Sequence, residues 1–298
     1  LVLGICDLGF NYMLEKKIIG LKIDVDTYLG MKKGVPQLLS TLSRFGLKGT
    51  FFLSYGPDSS GRAIFNLIRN PGFLKKMMRT NAARLYGIRT ALYGTLLPSP
   101  MIALSFPGLV RRIQDEGHEI QFHAWDHRRW QDDLSGKSPR WIENWFEKGI
   151  ASHRRLTGEN PQAFGAPAWL VDERALNEMR KHAFRYLSCS RAEAPFVEQI
   201  TGLPEIPSNL PCFEETGSME AILSSLEGKQ SFCVLPVHAE VEGGIWRESF
   251  ERLLDCMLRM NCRFQTLLEF RKNLDLSGLS VRKYRFKLLP GRSAPCAV

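Results

Sequence analysis

Two aspartates follow a short apolar run near the start of the chain, and this feature most constrains what the chain can fold into. Ile18 to Ile23 is mostly apolar, and Asp24 and Asp26 follow it. Such a run predicts a buried parallel strand, and α/β sheets place ligands and chemistry at the carboxyl ends of their strands. Residues i and i+2 of a strand point the same way, so two like charges here need a shared cation or a proton. For an isolated D-x-D pair, the alternative is that Asp24 caps the following turn and Asp26 is exposed to solvent.

Strand-like and helical segments alternate along the rest of the chain. Apolar residues at helical spacing predict a helix at Gly34 to Phe45, followed by a second strand at Gly49 to Ser54. Later strands are predicted at His118 to Phe122 and at Ser231 to His238, and a strand at Phe264 to Leu268 is expected to close the sheet. This alternation predicts an α/β fold, specifically an irregular (β/α) barrel of about seven parallel strands.

The excess positive charge is concentrated in one segment, residues 59–114. The chain has 298 residues and a formal net charge of +9, and this segment contains nine basic residues and no Asp or Glu. Pro71 to Tyr86 predicts an amphipathic helix with a cationic face, and uncharged apolar sequence follows Arg89. We therefore expect an insertion after the second strand that contacts an anionic membrane surface rather than nucleic acid. A core-packing helix with a solvated basic face is the alternative.

The two ends of the chain are predicted to differ from its main domain, residues 13–275. Residues 1–12 are apolar but short and are interrupted by Asp7, so they predict neither a signal peptide nor a membrane span. We interpret them as an N-terminal extension and residues 276–298 as a basic C-terminal tail without clear periodicity. Seven scattered cysteines without a C-x-x-C pair favour a reducing compartment over a disulfide framework.

Histidines follow two other predicted strands. His123 and His127 lie in H-A-W-D-H after the third strand, and His238 ends a late apolar strand. If the chain turns into a helix after the third strand, His123 and His127 share a face and can bind one divalent metal with a carboxylate as third ligand. An isolated H-x-x-x-H motif occurs by chance about as often as it marks a metal site. Its position at a strand end, like that of Asp24 and Asp26, favours a shared site.

The ordered set of these motifs resembles the polysaccharide deacetylases, carbohydrate esterase family 4 with the NodB-like fold. The resemblance covers roughly Ile18 to Phe270 and rests on the aspartate pair, H-x-x-x-H and the late histidine. The segments I-D-V-D-T, G-V-P-x-L-L, G-P-D-x-x-G-R, F-L-x-K-M-x-R-x-N-A-A-x-L-Y-G, H-A-W-D-H and H-A-E-V-E-G resemble one branch of that family. Members of this branch remove a formyl group from an amino sugar linked to undecaprenyl phosphate, in lipid A modification.

The resemblance implies a role for each residue of the expected site. Asp26, His123 and His127 would hold one divalent metal, for which zinc is favoured and manganese, cobalt, nickel and iron are alternatives. Asp24 would be the general base that takes a proton from the attacking water. His238 would be the general acid that protonates the leaving amine.

The sequence departs from the family pattern at two places. The family has an Arg-x-Pro motif whose arginine braces the catalytic aspartate, but Gly165 stands at that position here. Arg191 is a candidate replacement, and the backbone N–H of Ala168 is expected to serve the oxyanion. The family also tunes its catalytic histidine with an acid from a nearby strand, and the segment Arg185 to Arg191 contains none.

The resemblance also implies a polyprenyl-phosphate-linked amino sugar as substrate. Candidate contacts to its sugar and phosphate are Asp58, Arg62, Arg79, Asn81, Tyr86 and Arg191. It is equally consistent with the sequence that these residues only stabilise the local structure of their loops. We expect a peripheral amide hydrolase, acting on formyl or acetyl groups, on the cytoplasmic side of the bacterial inner membrane. The alternatives are a deacetylase of another N-acyl sugar or small amide, and a basic lipid-phosphate-binding module with a degenerate site.

Overall fold

A parallel sheet runs through the part of the chain that the computed structural model describes, residues 17–62, 92–229, 232–292 and 294–298. Its strands are β1 (Ile18–Val25), β2 (Thr50–Ser54), β3 (Glu119–Ala124), β4 (Ala163–Phe164), β5 (Tyr186–Leu187), β6 (Phe196–Glu198), β7 (Pro204–Glu205), β8 (Phe232–His238), β9 (Arg263–Gln265) and β10 (Val281–Arg282). Their order across the sheet is β10-β6-β7-β5-β4-β3-β2-β1-β8, and β9 pairs with β1.

The run of seven strands from β7 to β8 is parallel throughout, whereas β6 and β7 are antiparallel. The predicted α/β fold with about seven parallel strands is therefore confirmed, in the form of a half-barrel. The predicted last strand is shorter than expected. The hydroxyl of Thr266 caps a new helix by accepting a hydrogen bond from the backbone of Glu269, so the strand ends at Gln265.

Helices connect the strands. They are α1 (Val35–Phe45), α2 (Pro107–Asp115), α3 (His127–Asp133), α4 (Pro139–Thr157), α5 (Glu173–Met179), α6 (Phe213–Thr216), α7 (Met219–Glu227), α8 (Arg247–Arg259) and α9 (Leu267–Asn273). In α1 the residues at helical spacing, such as Leu38 and Leu42, are buried, as the sequence pattern predicts. The helix ends at Gly46, whose φ of 66° is a left-handed conformation that glycine adopts without strain.

The alternation of side chains along β1 separates the main core from the site. Ile19, Leu21, Ile23 and Val25 belong to the large apolar core that also contains buried residues of the helices. Lys22 and Asp24 point to the opposite, concave side. A smaller apolar cluster includes residues of that side and consists of Phe52, Ala163, Tyr186, Ile206, Val234 and Leu267. The concave side is therefore apolar at its base and polar at the carboxyl ends of the strands.

The C-terminal segment, interpreted from the sequence as a basic tail, packs on the domain. β10 pairs with β6, and β11 (Phe286–Lys287) pairs with β12 (Cys296–Ala297), whose residues are buried. The hydroxyl of Tyr284 donates a hydrogen bond of 2.6 Å to the buried carboxyl of Glu205. A buried carboxyl group requires donors, and this contact ties the segment to the sheet.

Two predicted features lie outside the described residues. These are the amphipathic helix at Pro71 to Tyr86 and the N-terminal extension, residues 1–12. Within the described ranges, we find no helix that combines the length and the apolar character needed to cross a membrane.

Gly149 allows α4 to lie directly against β3, the strand that carries His123. A Cβ atom at this position would be 2.2 Å from the ring of Phe122. We expect Gly149→Ala to lower the free energy of unfolding by about 1–3 kcal/mol, because overpacking outweighs the helix propensity of alanine. Chemical denaturation measures this change. Gly108→Ala in α2 is the control, since a Cβ there meets no atom within 4 Å. A stabilisation of equal size in both variants would contradict the packing argument.

Candidate metal and catalytic site

The two histidines of H-A-W-D-H do not share a helix, so that prediction is wrong. His123 is in β3, and His127 is the first residue of α3. The chain bends between them, and Asp126 stabilises the bend. One of its carboxylate oxygens caps α3 by accepting from the backbone N–H of Arg129, and the other accepts from the hydroxyl of Ser59, both at 2.9 Å. The bend brings the two imidazole rings to a centroid distance of 5.1 Å.

Asp26, His123 and His127 converge at the carboxyl ends of β1 and β3, as the sequence predicted. Asp26 Oδ1 is 3.1 Å from Nε2 of His123, and Asp26 Oδ2 is 3.3 Å from Nε2 of His127. The ligand atoms of the three residues all lie within 4.8 Å of one another. Two imidazoles and one carboxylate form a donor set typical of a catalytic metal site, which leaves a further coordination position open.

The hydrogen bonds of His123 show that this group fits a cation. Its Nδ1–H donates to the carbonyl oxygen of Gly165 at 2.7 Å. In this tautomer of the neutral ring, Nε2 carries no proton and presents a lone pair. This nitrogen faces Asp26 Oδ1, and both atoms are buried without a hydrogen-bond partner. Two facing acceptors are unfavourable unless a cation lies between them. The three residues therefore fit one divalent metal ion.

The surroundings of these residues favour the protonation states that metal binding requires. Burial lowers the pKa of His127 to about 4, although the negative charge of Asp26 opposes this shift. Burial would raise the pKa of Asp26, but His127 and His123 outweigh it, and the pKa lies well below the usual range. At neutral pH we expect a neutral imidazole at His127 beside an ionised carboxylate at Asp26, which are the forms that bind metals.

Lys22 holds Asp24, and Arg191 does not. The ammonium group of Lys22 contacts both carboxylate oxygens of Asp24, with Nζ to Oδ1 at 2.5 Å. Arg191 instead pairs with Glu215 at 2.6 Å, and its side chain is buried. The interpretation of Arg191 as the brace of Asp24 is therefore wrong. The physical reason is that Lys22 lies two residues before Asp24 on the same side of β1, whereas a different carboxylate neutralises Arg191.

Ala168 and Trp169 form an unusual turn beside His238. Their φ angles are 54° and 53°, which are left-handed values that side-chain-bearing residues adopt at a cost. The guanidinium groups of Arg191 and Arg292 lie 4.8 and 4.6 Å from the Trp169 ring and hold it in place. The Trp169 ring lies edge-on to His238, at a centroid distance of 6.3 Å. The assignment of the Ala168 N–H to an oxyanion stays a prediction.

His238 ends β8 directly opposite Asp24 of β1 in the sheet register. Its backbone N–H donates to the Glu242 carboxylate at 2.6 Å. Burial raises the pKa of Glu242 to about 7, although the nearby His238 opposes the shift. Cys212 and Glu214 place ligand-type atoms within 4.8 Å of an His238 ring nitrogen. Sequence reasoning did not single out these acids, although the spacing in H-A-E-V-E points to Glu242, four residues after His238.

The predicted substrate contacts fall into two groups. Asp58 is buried and accepts hydrogen bonds from the backbone N–H groups of Tyr28 at 2.8 Å and Ser60 at 3.0 Å, so it organises its own loop. Arg62 is one-third exposed and lies 3.5 Å from Asp133. The remaining candidates on the basic segment lie outside the described residues; they are Arg79, Asn81 and Tyr86. Contacts of any of these residues with a substrate remain predictions.

Lys22, the partner of Asp24, is the residue of the candidate site that sequence reasoning missed most clearly. The signal was present, because a lysine inside the apolar run of β1 has the same parity as Asp24 and must point to the same side. A lysine is almost never buried unless it is paired, so its position in a buried strand already implied an anionic partner. Nothing in the sequence excluded Asp26 as that partner.

The chain belongs to the polysaccharide deacetylase family, whose members share a hydrolase domain of this kind. Residues 12–187 match the family named "Polysaccharide deacetylase". A relative in Shewanella sediminis (strain HAW-EB3) is 35% identical over 266 residues, which cover 87% of each chain, and is named "Probable 4-deoxy-4-formamido-L-arabinose-phosphoundecaprenol deformylase ArnD". A protein of the same name from Wigglesworthia glossinidia brevipalpis is 29% identical, over 89% of this chain and 96% of its own.

Solved structures confirm the fold independently of close sequence similarity. The structure titled "putative polysaccharide deacetylase from Mycobacterium smegmatis" superposes with a TM-score of 0.63 at 18% identity, and covers 93% of this chain and 97% of its own. The Xyl-CE4 domain of a xylanase from the hindgut metagenome of Trinervitermes trinervoides gives a TM-score of 0.53 at 13% identity, over 90% and 97% of the two chains. At these identities the likeness shows the fold alone.

We expect His127→Ala to weaken the binding of a divalent metal by at least about 10²-fold, because one of the three candidate ligands is lost. Titration of the metal-free protein with zinc, followed by calorimetry, measures the affinity. His182→Ala is a matched control, because His182 lies 3.3 Å from Glu178, the same distance that separates His127 from Asp26. Equal affinities of the two variants would contradict the assignment of the metal ligands.

Proposed function

We propose that this protein is a metal-dependent amide hydrolase that removes a formyl group from an amino sugar linked to undecaprenyl phosphate, at the cytoplasmic face of the membrane, in cell-envelope lipid modification. One observation carries the proposal. A lysine-bound carboxylate, Asp24, a metal-type donor group and His238 lie together at the carboxyl ends of β1, β3 and β8. The names of the two deformylase relatives support the choice of the formyl group and of the lipid carrier.

The ligand group supplies the first requirement of amide hydrolysis. When bound to Asp26, His123 and His127, a divalent ion, for which we favour zinc, polarises the amide carbonyl and makes water easier to deprotonate. Manganese, cobalt, nickel and iron are alternatives for the same donors. The hydrogen bond from His123 to the Gly165 carbonyl fixes the ring orientation toward this position.

Asp24 and His238 supply the proton transfers. Asp24 shares the end of β1 with the proposed ligand Asp26, and its contact with Lys22 fixes the orientation of the carboxylate that would act as general base. His238 lies across from it on β8, with a buried Nδ1 that lacks a hydrogen-bond partner among the described residues. This geometry suits a base that takes the proton of the attacking water and an acid that protonates the leaving amine. The backbone N–H of Ala168 is our proposed donor to the oxyanion.

Exposed apolar residues close to the site support a membrane-bound substrate. In the described part of the basic segment, Leu96 is 80% exposed, and Leu97 and Met101 are also exposed. The loop that they belong to pairs with the Asp58 loop, because the backbone N–H of Asp58 donates to the carbonyl of Pro100 at 2.8 Å. An apolar loop beside cationic sequence is suited to an anionic lipid surface. We therefore propose residues 59–114 as the surface that presents the lipid-linked sugar to the site.

We expect the wild-type protein to release formate from a lipid-linked formamido sugar faster than acetate from the matched acetamido sugar. Asp24→Asn should lower kcat on the order of 10²–10⁴-fold, because the general base is lost, and should retain the metal. Asp26→Asn should lose both the activity and the metal. Product analysis together with metal content measures these outcomes. Faster release of acetate would favour the alternative of a deacetylase, and full activity of Asp24→Asn would contradict the catalytic role.

We expect Leu96→Gln combined with Leu97→Gln to weaken binding to phosphatidylglycerol vesicles, because these side chains no longer enter the lipid interface. Co-sedimentation with the vesicles measures binding, and phosphatidylcholine vesicles test the contribution of charge. Leu288→Gln is the control, since Leu288 is 59% exposed but lies in the C-terminal segment. An equal loss of binding in the control would contradict the assignment of the membrane surface to residues 59–114.

A further inference from the structure

Lys22 is a fully buried cation in the interior of the half-barrel. It is 0% exposed, and Asp24, the carboxylate that it contacts, is 3% exposed. The loss of hydration of such an ion is unfavourable, and only close contacts with an anion can offset it. Both oxygens of Asp24 lie within hydrogen-bonding distance of the Lys22 ammonium group, so the contact fixes the orientation of the carboxylate as well as its charge.

Two aromatic rings enclose the ammonium group on its other sides. Lys22 Nζ lies 4.8 Å from the centroid of the Phe52 ring and 5.6 Å from that of the Trp169 ring. Contacts of this kind stabilise a cation that has lost water. Phe52 is opposite Asp24 in the register of β2 and β1, so the strands themselves place the ring beside the ion pair.

The packing of Phe52 also closes the route by which a cation from β4 would reach Asp24. A Cβ atom at Gly165 would be 2.7 Å from the Phe52 ring, so a side chain at that position requires Phe52 to move. Arg191, the replacement cation considered from the sequence, is neutralised by Glu215. Among the described residues, Lys22 is the cation that hydrogen-bonds to Asp24.

We propose that Lys22 is a positioning residue of the hydrolytic reaction, acting through Asp24. Lys22 orients the carboxylate of Asp24 so that this carboxylate can take a proton from the attacking water. Phe52 and Gly165 keep the Lys22 side chain in place. This inference rests on the proposed amide hydrolase function. The contacts of the Lys22 ammonium group among the described residues are with Asp24, Phe52 and Trp169. Its loss should therefore affect the rate of the reaction and leave substrate binding and metal binding intact.

The test compares Lys22→Met, Lys22→Arg and the matched control Lys17→Met. Lys17 is also a buried lysine next to β1, but it donates to backbone carbonyls, including that of Lys229 at 2.8 Å. We expect Lys22→Met to lower kcat on the order of 10²-fold with little change in KM or metal content, because Asp24 loses its alignment. Lys22→Arg should recover a large part of this loss, whereas Lys17→Met should keep the wild-type kcat.

A double-mutant cycle shows whether Lys22 acts through Asp24. If it does, adding Lys22→Met to Asp24→Asn should lower kcat little further. In thermal unfolding, which needs no substrate, Asp24→Asn should raise the midpoint of Lys22→Met, because the unpaired buried charge is removed.

Each outcome bears on the proposal. Additive kinetic effects, or equal kcat values for Lys22→Met and Lys17→Met with an active wild-type protein, would overturn the role of Lys22 and leave the proposed function intact. Absence of turnover by the wild-type protein on formyl and acetyl substrates would overturn both, even if the unfolding cycle shows the ion pair.

Discussion

The burial of two neighbouring carboxylates is the constraint on which the rest of this structure depends. Asp24 and Asp26 leave β1 on the same side. Asp24 is 3% exposed and the Asp26 side chain 14% exposed, so each loses most of the water that would otherwise stabilise its charge. The protein gives them different partners. An ammonium group neutralises Asp24, while two imidazoles and a metal-type position surround Asp26. In the proposed function, this division would allow one strand end to provide both a metal ligand and a general base.

The parallel sheet makes this division possible because it brings distant parts of the chain to one edge. Neighbouring strands in register place His238 and Phe52 on either side of Asp24, although both are far from it in sequence. Loops then adjust the details, as when Ser59 after β2 hydrogen-bonds to Asp126 and so fixes the bend before His127. The site is thus built from strand register first and loop contacts second.

The parts of the structure that sequence reasoning could predict depend on local patterns. The alternation of strand-like and helical segments was sufficient to predict the parallel α/β sheet. The positions of residues at strand ends were sufficient to predict that Asp26, His123 and His127 converge. The geometry of His127 could not be predicted, because it depends on a cap by Asp126 and a contact from a distant loop. The partner of Asp24 was also missed. Choosing between Lys22 and Arg191 requires knowledge of Glu215, which is not near either residue in sequence.

The contact of Phe52 with Gly165 limits how this site can change during evolution. Moving the positive charge from β1 to β4 would require a long side chain at Gly165, a smaller one at Phe52 and an uncharged one at Lys22. Made alone, the change at Gly165 produces a steric clash, the change at Phe52 leaves a cavity, and the change at Lys22 leaves an unpaired buried carboxylate. The three positions are therefore expected to be epistatic, and the present arrangement is a local optimum that single substitutions do not leave easily.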